Sequence, residues 1–260
     1  MIVFTEERLR DALWPRPFQY FPQVGSTNDL AAAWAQEGAP HGALVITDEQ
    51  LNGRGRFNRM WHAPSGTALL MSVILRPQLP ATHLSQLTMI GAVALTDVIE
   101  AWCPGKASIK WPNDIQAEGR KLAGVLVESS WQNQRLEYVI MGIGLNVRID
   151  FAKTPLSDSA ISLSNLTDQP IDRTHLLAHL LKKIDEWSLH LQTEALWTTW
   201  RARLNMLGKP VTVTLPEGQV IVGQAEDVSP QGALQLIDTA GDRHSFVAGD
   251  VSLRVTSDST

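Results

Sequence analysis

The chain has 260 residues, 44% of them hydrophobic, and 22 lysines and arginines stand against 27 aspartates and glutamates for a net charge of −5. That is room for one large catalytic domain and a small appendage, and the acidic balance argues against general nucleic-acid affinity. Cys103 is the only cysteine, which excludes an internal disulfide and a CxxC metal cluster, and no basic-then-apolar leader or apolar run near the roughly 18 residues of a membrane span is present. A cytoplasmic protein in a reducing compartment is expected, with Cys103 a packed thiol.

In chain order, Thr5-Glu6-Glu7 opens a helix that carries Leu9, Leu13 and Trp14 on one side until Pro15 and Pro17 end it. This leader is too short for a winged-helix DNA-binding domain. Phe18 to Val24 reads as a strand. Ser26-Thr27-Asn28-Asp29 then supplies capping side chains ahead of LAAAWAQE, with Gly38 as a stop. Such a turn either directs hydroxyls and backbone donors at a small polar ligand or has Ser26 or Asn28 merely cap the helix. Ala43 to Thr47 is a short apolar strand, and Ala68 to Leu75 is another, apolar nearly throughout as burial on both faces demands. Between them runs QLNGRGRFNRMW. Gly53 and Gly55 allow close backbone approach, and Arg54, Arg56 and Arg59 put three guanidiniums within six positions. This suits an anion-binding lid for a phosphate or carboxylate, although a solvated basic loop has the same composition.

Leu84, Leu87, Ile90, Ala94, Leu95, Val98 and Trp102 recur at helical spacing up to Pro104 and Gly105. SIKWPNDIQAEGRKLAGVLVESS follows as a hairpin with Glu118-Gly119-Arg120 at its tip and Leu122 to Val127 as the return strand. Lys110 and Lys121 flank apolar residues there, and a lysine in a buried strand calls for an anionic partner. Asp114 is either turn chemistry with Pro112-Asn113 or a carboxylate for a hard cation such as Mg²⁺. In the strand Arg135 to Val147, Gly142, Gly144 and Asn146 share one face. The missing side chains leave room for a ligand or for a neighbouring aromatic residue. Phe151 to Pro170 is a polar loop, Leu176 to Trp187 and Leu191 to Leu204 are helices, and Gly208 to Val255 alternates short β runs with turns, as a small barrel does. His175 and His179 lack the glutamate of an HExxH site and read as surface or core-edge residues.

Taken together, Ser26-Thr27-Asn28, Gln50, Gly53-Arg54-Gly55-Arg56 with Arg59 and Trp61, Lys110-Trp111-Pro112-Asn113-Asp114, Lys121-Leu122-Ala123-Gly124 and Gly142-Ile143-Gly144-Leu145-Asn146 resemble, in order and spacing, the biotin protein ligases, also called biotin–acetyl-CoA-carboxylase ligases. The resemblance implies an α/β (α+β) catalytic domain over 1–206, a mixed sheet flanked by helices as in class II aminoacyl-tRNA synthetases, and an SH3-like β domain over 207–260. It implies that biotin and MgATP form biotinyl-5′-adenylate, from which biotin passes to a lysine of a biotin carboxyl carrier protein of acetyl-CoA carboxylase or a related carboxylase. Ser26, Thr27, Gln50, Gly53, Arg54, Lys121, Gly124, Gly142 and Gly144 are then expected at biotin. Arg56, Arg59, Trp61, Asn146 and Arg254 fall to the nucleotide and Asp114 to Mg²⁺, with Arg54, Arg56 and Lys121 neutralising the reacting anions. Asn58 departs from the glycine of many relatives, and Leu51-Asn52 from their small or polar pair. A monofunctional enzyme is expected, without DNA or membrane binding and with a homodimer open. The rivals are a lipoate-type ligase and a catalytically silent biotin-binding regulator.

Overall fold

Strands β1 (Phe18–Val24) and β2 (Leu44–Gln50) run parallel, joined across α2 (Thr27–Gln36), and every later pairing in their sheet is antiparallel. The structure, a computed structural model, describes residues 4–253. With β3 (Ala68–Leu75), β4 (Ala107–Lys110), β5 (Asp114–Ala117), β6 (Arg120–Gln132) and β7 (Arg135–Asn146), the sheet has the order β1-β2-β3-β7-β6-β5-β4. β3 is buried at every position, so its run, apolar except for Ser72, has a partner layer on each face. One layer is α3 (Ser85–Trp102), backed by α4 (Arg173–Ser188) and α5 (Glu194–Ala202), while α2 lies against β2, β3 and β7. Leu87, Ile90, Leu95 and Val98 of α3 are fully enclosed, each removing from water a side chain whose burial is worth about 1.5–3 kcal/mol.

Local chemistry sets the ends. Thr5 caps α1 (Glu6–Leu13) by accepting from the Arg8 amide. Glu118 and Gly119, at φ 52° and 75°, make the β5–β6 turn that the sequence places there. Two details differ from the sequence reading. The strand expected over 43–47 runs on to Gln50, which carries it to the lid. The segment read as one hairpin holds a second turn at Trp111-Pro112-Asn113, so Lys110 and Asp114 face each other across β4 and β5.

From β8 (Pro210–Thr214) the chain forms a separate antiparallel sheet with β9 (Val220–Val228), β10 (Leu234–Asp238), β11 (Arg243–Phe246) and β12 (Asp250–Leu253), in the order β11-β10-β9-β8-β12. It is pinned to the catalytic part where Trp111 Nε1 donates to the Gly232 carbonyl at 2.8 Å and Ser85 Oγ to that of Gln231 at 2.5 Å. His175 and His179 both pack on Trp102, with ring centroids 5.6 and 6.0 Å away. Cys103 is buried, and burial, then Glu100, pushes its thiol pKa up.

Candidate active site

The loop from Gly53 to Trp61 closes on itself: Gly55 N donates to Arg59 O at 2.7 Å and Trp61 N to Gly53 O at 2.8 Å. Phe57 and Asn58 turn it through the left-handed region at φ 57° and 55°. Asn, with Asp, enters that region more readily than other residues with a side chain, so Asn58 suits the turn. Leu51 and Asn52 donate their amides to Val24 O and Gly25 O at 2.9 and 2.8 Å, tying the loop's root to the start of α2 by backbone alone. The loop roofs a cleft enclosing about 850 Å³, part of it open to solvent.

Two glycines make the floor. A Cβ at Gly142 would stand 2.2 Å from Asn28 Oδ1, and one at Gly144 would stand 2.6 Å from Trp61 Cε2. The strand therefore leaves its side chains out to admit a polar side chain at one position and an aromatic ring at the other. Around Asn28 runs a polar chain under the lid, buried at Thr27, Asn28 and Ser72. Gln50 Oε1 accepts from Thr27 N (2.8 Å) and is 2.9 Å from Thr27 Oγ1. Ser72 Oγ lies 2.7 Å from Thr27 Oγ1 and 2.6 Å from Asn28 Oδ1, and Asn28 Nδ2 donates to Glu128 Oε2 at 2.5 Å. Ser26 makes no side-chain cap to α2, and Asn28 spends its amide on Ser72 and Glu128. Capping alone does not account for this turn.

The cations divide into paired and unpaired. Arg54 grips Asp29 with both Nη atoms, at 3.0 and 2.6 Å, and Glu128 at 3.1–3.2 Å. Those bonds, Asp29's first, raise its pKa further. Lys121 Nζ sits 2.8 Å from Asp114 Oδ1 and 5.2 Å from the Trp61 ring centroid. Lys110 and Arg59 share Asp250, at 3.1 and 2.7 Å. Burial alone would raise the Asp250 pKa, but those two cations hold it below the ordinary carboxylate value. Arg56 differs: its Nη1 makes only long contacts, 3.4 Å each, to Asn113 Oδ1 and Gly249 O. Burial lowers its pKa, against the pull of Asp114 and Asp250. Among the described residues of the cleft it is the guanidinium with no carboxylate bound to it, the cheapest one for an incoming anion to claim.

Of the residues expected from sequence, Ser26, Thr27, Gln50, Arg54, Arg56, Arg59, Trp61, Asp114, Lys121, Gly124, Gly142 and Gly144 all line this cleft. Gly53 lies at its edge, where the lid crosses Gln50. Asn146 stands behind the wall, its Nδ2 donating to the Lys121 and Ile161 carbonyls at 3.3 and 3.1 Å. Its Nδ2 holds the backbone of Lys121, and the side chain, expected at the nucleotide, stands outside the cleft's lining. Arg254 lies outside the described residues. Ser72, Glu128 and Asp250 were not singled out, and Asp29 was read only as a capping residue. Ser72 carried a signal, as a polar residue inside an apolar strand; Glu128 lies just past the strand read over 122–127, which in the structure runs on to Gln132, and Asp250 reaches the cleft from the C-terminal sheet, so these two carried none.

Glycine floor, arginine lid and appended barrel define a class, and the comparisons agree. Residues 20–146 match the Biotin/lipoate A/B protein ligase family and residues 206–254 the Biotin protein ligase C terminal domain. A biotin–[acetyl-CoA-carboxylase] ligase of Mycobacterium tuberculosis is 34% identical over 95% of this chain and 94% of its own length. A bifunctional ligase/repressor of Bacillus subtilis is 34% identical over 90% of this chain and 73% of its own. In structure, a biotin protein ligase from Aquifex aeolicus in complex with biotin and ATP superposes with a TM-score of 0.77 at 26% identity, covering 92% of this chain and 98% of that one. The chain belongs to the biotin protein ligase family.

Proposed function

We propose that this ligase activates biotin in the cleft under the Gly53–Trp61 lid and that the residues lining it divide the work as follows. The biotin carboxylate attacks the α-phosphorus of ATP; its oxygen bonds to phosphorus, the bond to the bridging oxygen breaks, and pyrophosphate leaves. A carrier lysine amine then attacks the acyl carbon of biotinyl-5′-adenylate, loses a proton and displaces AMP. The single observation carrying this assignment is the convergence of Arg56 and Lys121 over a floor cleared by Gly142 and Gly144. Two mutually repelling anions must meet there, and fixed cations in a partly dry cleft lower that barrier by positioning and electrostatics.

Ser26, Thr27 and Gln50 sit at the end of the cleft suited to biotin's polar head, and Trp61 offers a ring for the adenine once Lys121 has turned to the phosphate. Mg²⁺ fits in a limited way. Asp114 is one carboxylate, paired with Lys121, and among the described residues no group of three His, Cys, Asp or Glu side chains is arranged for a metal. A hard cation that keeps its waters and takes phosphate oxygens needs only one or two carboxylates, so Asp114 would hold it together with ATP, where it would neutralise the departing pyrophosphate. We assign the acceptor to a biotin carboxyl carrier protein. β6 pairs with β5 only as far as Gly124, which leaves its later residues as an open edge for a partner's strand. The net charge of −5 favours a ligase that does not bind DNA.

The direct test is exchange of labelled pyrophosphate into ATP with biotin, lipoate or no acid added. Exchange with biotin alone is expected; exchange with lipoate would overturn the substrate, and none with either would favour a silent binding protein. Arg56→Ala is expected to shed adenylate at least tenfold faster, since the guanidinium that closes the lid on the phosphate is gone. Retention equal to wild type in a filter-binding chase removes that role. Gly142→Ala forces Asn28 away, because its Cβ would lie 2.2 Å from Oδ1. Biotin affinity should fall tenfold or more in calorimetric titration, and an unchanged affinity would place the biotin head elsewhere.

A further inference from the structure

Sequence places Arg54 at the reacting anions, yet its guanidinium makes five hydrogen bonds to two protein carboxylates. We infer that Glu128 is a positioning residue for the ligase reaction: it clamps the Arg54 side chain of the lid to the Asn28 side chain of the floor, so that lid closure and the floor are set together. The inference rests on the proposed assignment of the cleft to biotin and adds to it a residue that need not touch substrate.

The geometry is specific. Glu128 pairs with Ile140, two places along β6 from Leu126, which faces Gly142, so strand alternation puts Glu128 on the cleft side with Gly124 and Gly142. Its Oε1 accepts from Arg54 Nε and Nη2, each at 3.2 Å; its Oε2 accepts from Nη2 at 3.1 Å and from Asn28 Nδ2 at 2.5 Å. On its other side Asn28 Oδ1 faces Ser72 Oγ at 2.6 Å above the space cleared by Gly142. A carboxylate satisfies donors on both of its sides. A glutamine keeps the shape but takes the charge away from Arg54, and with Asn28 oriented as it stands its NH₂ opposes either the guanidinium or the Asn28 amide. The clamp therefore needs the negative charge as well as the shape. It continues through Ser72 to Thr27 and Gln50, so a change at the lid reaches the turn assigned to the biotin head.

Glu128→Gln, Arg54→Gln and the double variant test this, with three readouts: biotin dissociation, the KM for biotin, and the single-turnover rate of adenylate formation at saturating biotin. Wild type is titrated with biotin first, and failure to bind there sinks the site assignment rather than the clamp. Each single variant is expected to release biotin and raise KM about tenfold, and in Glu128→Gln the single-turnover rate at saturating biotin stays within twofold of wild type. The double variant should be no worse than the worse single, since both break one clamp. Unchanged biotin dissociation in Glu128→Gln, a single-turnover rate that falls with KM unmoved, or effects that multiply in the double variant would each overturn it. Should Glu128→Gln not fold, Glu128→Asp keeps the charge, withdraws it by one methylene and is read by the same criteria.

Discussion

Lys121→Gln is expected to slow pyrophosphate exchange by about 10²–10³-fold, the loss that follows removal of one preorganised group from a developing charge. The side chain is held for that work from behind. Lys121 N donates to Ser159 O at 2.8 Å, and the Lys121 carbonyl accepts from Ile161 N at 2.9 Å and from Asn146 Nδ2 at 3.3 Å. Its ammonium lies on Asp114, a partner that substrate phosphate can replace without leaving the lysine unpaired. Because the charge matters most when carboxylate and phosphate meet, the loss should fall on the single-turnover rate, with biotin affinity changed less than tenfold. A variant that binds biotin poorly but turns over normally at saturation would make Lys121 a ground-state binding group instead.

Much of the fold was legible because its signals are local. The seven apolar residues of β3, the Glu118-Gly119 turn and the apolar stripe of α3 depend on neighbours a few positions away. The cleft was legible for a different reason: glycines in a buried strand and lysines beside apolar residues are costly unless something meets them. What meets them was not legible. Gly144 admits the protein's own Trp61, Gly142 admits Asn28, and Lys110 finds Asp250 from a sheet 140 positions later. Arg54 is the instructive case. Composition gives a cation on a lid, but whether it is free depends on Glu128, 74 positions on, and on Asp29, 25 positions back. Three arginines that look equivalent in sequence thus separate in space into a latch (Arg54), a guanidinium without a bound carboxylate (Arg56) and a tie to the C-terminal sheet (Arg59). Pairing across distant strands sets that division, and no spacing within the loop encodes it.

Arg173→Met is expected to cost about 3–5 kcal/mol of folding stability, the penalty for leaving half of a buried ion pair uncompensated. Arg173 is 1% exposed; its Nη1 donates to Ala68 O at 3.1 Å and its Nη2 makes a charge contact with Asp48 Oδ1 at 2.6 Å. Its Cζ lies 4.2 Å from the Phe4 ring centroid. It joins α4 to β2 and to the first residue of β3, the strand whose Ser72 supports the cleft. The loss should appear in urea denaturation, and adding Asp48→Asn should recover part of it, because no charge is then left buried. A double variant less stable than Arg173→Met would show that packing, rather than the stranded carboxylate, sets the cost. The same cluster shapes the alkaline limb. Tyr20 OH donates to Asp48 Oδ2 at 2.5 Å, and burial, then that bond and charge, push its phenol from 10.0 up to about 12. A group whose pKa is raised on folding contributes stability that is complete below its unfolded value and lost as pH rises through the folded one, here between about pH 10 and 12. Tyr20→Phe should therefore lose stability less steeply over that window. Parallel curves for the two proteins would assign the alkaline loss to other groups and leave the Asp48 cluster with a packing role alone.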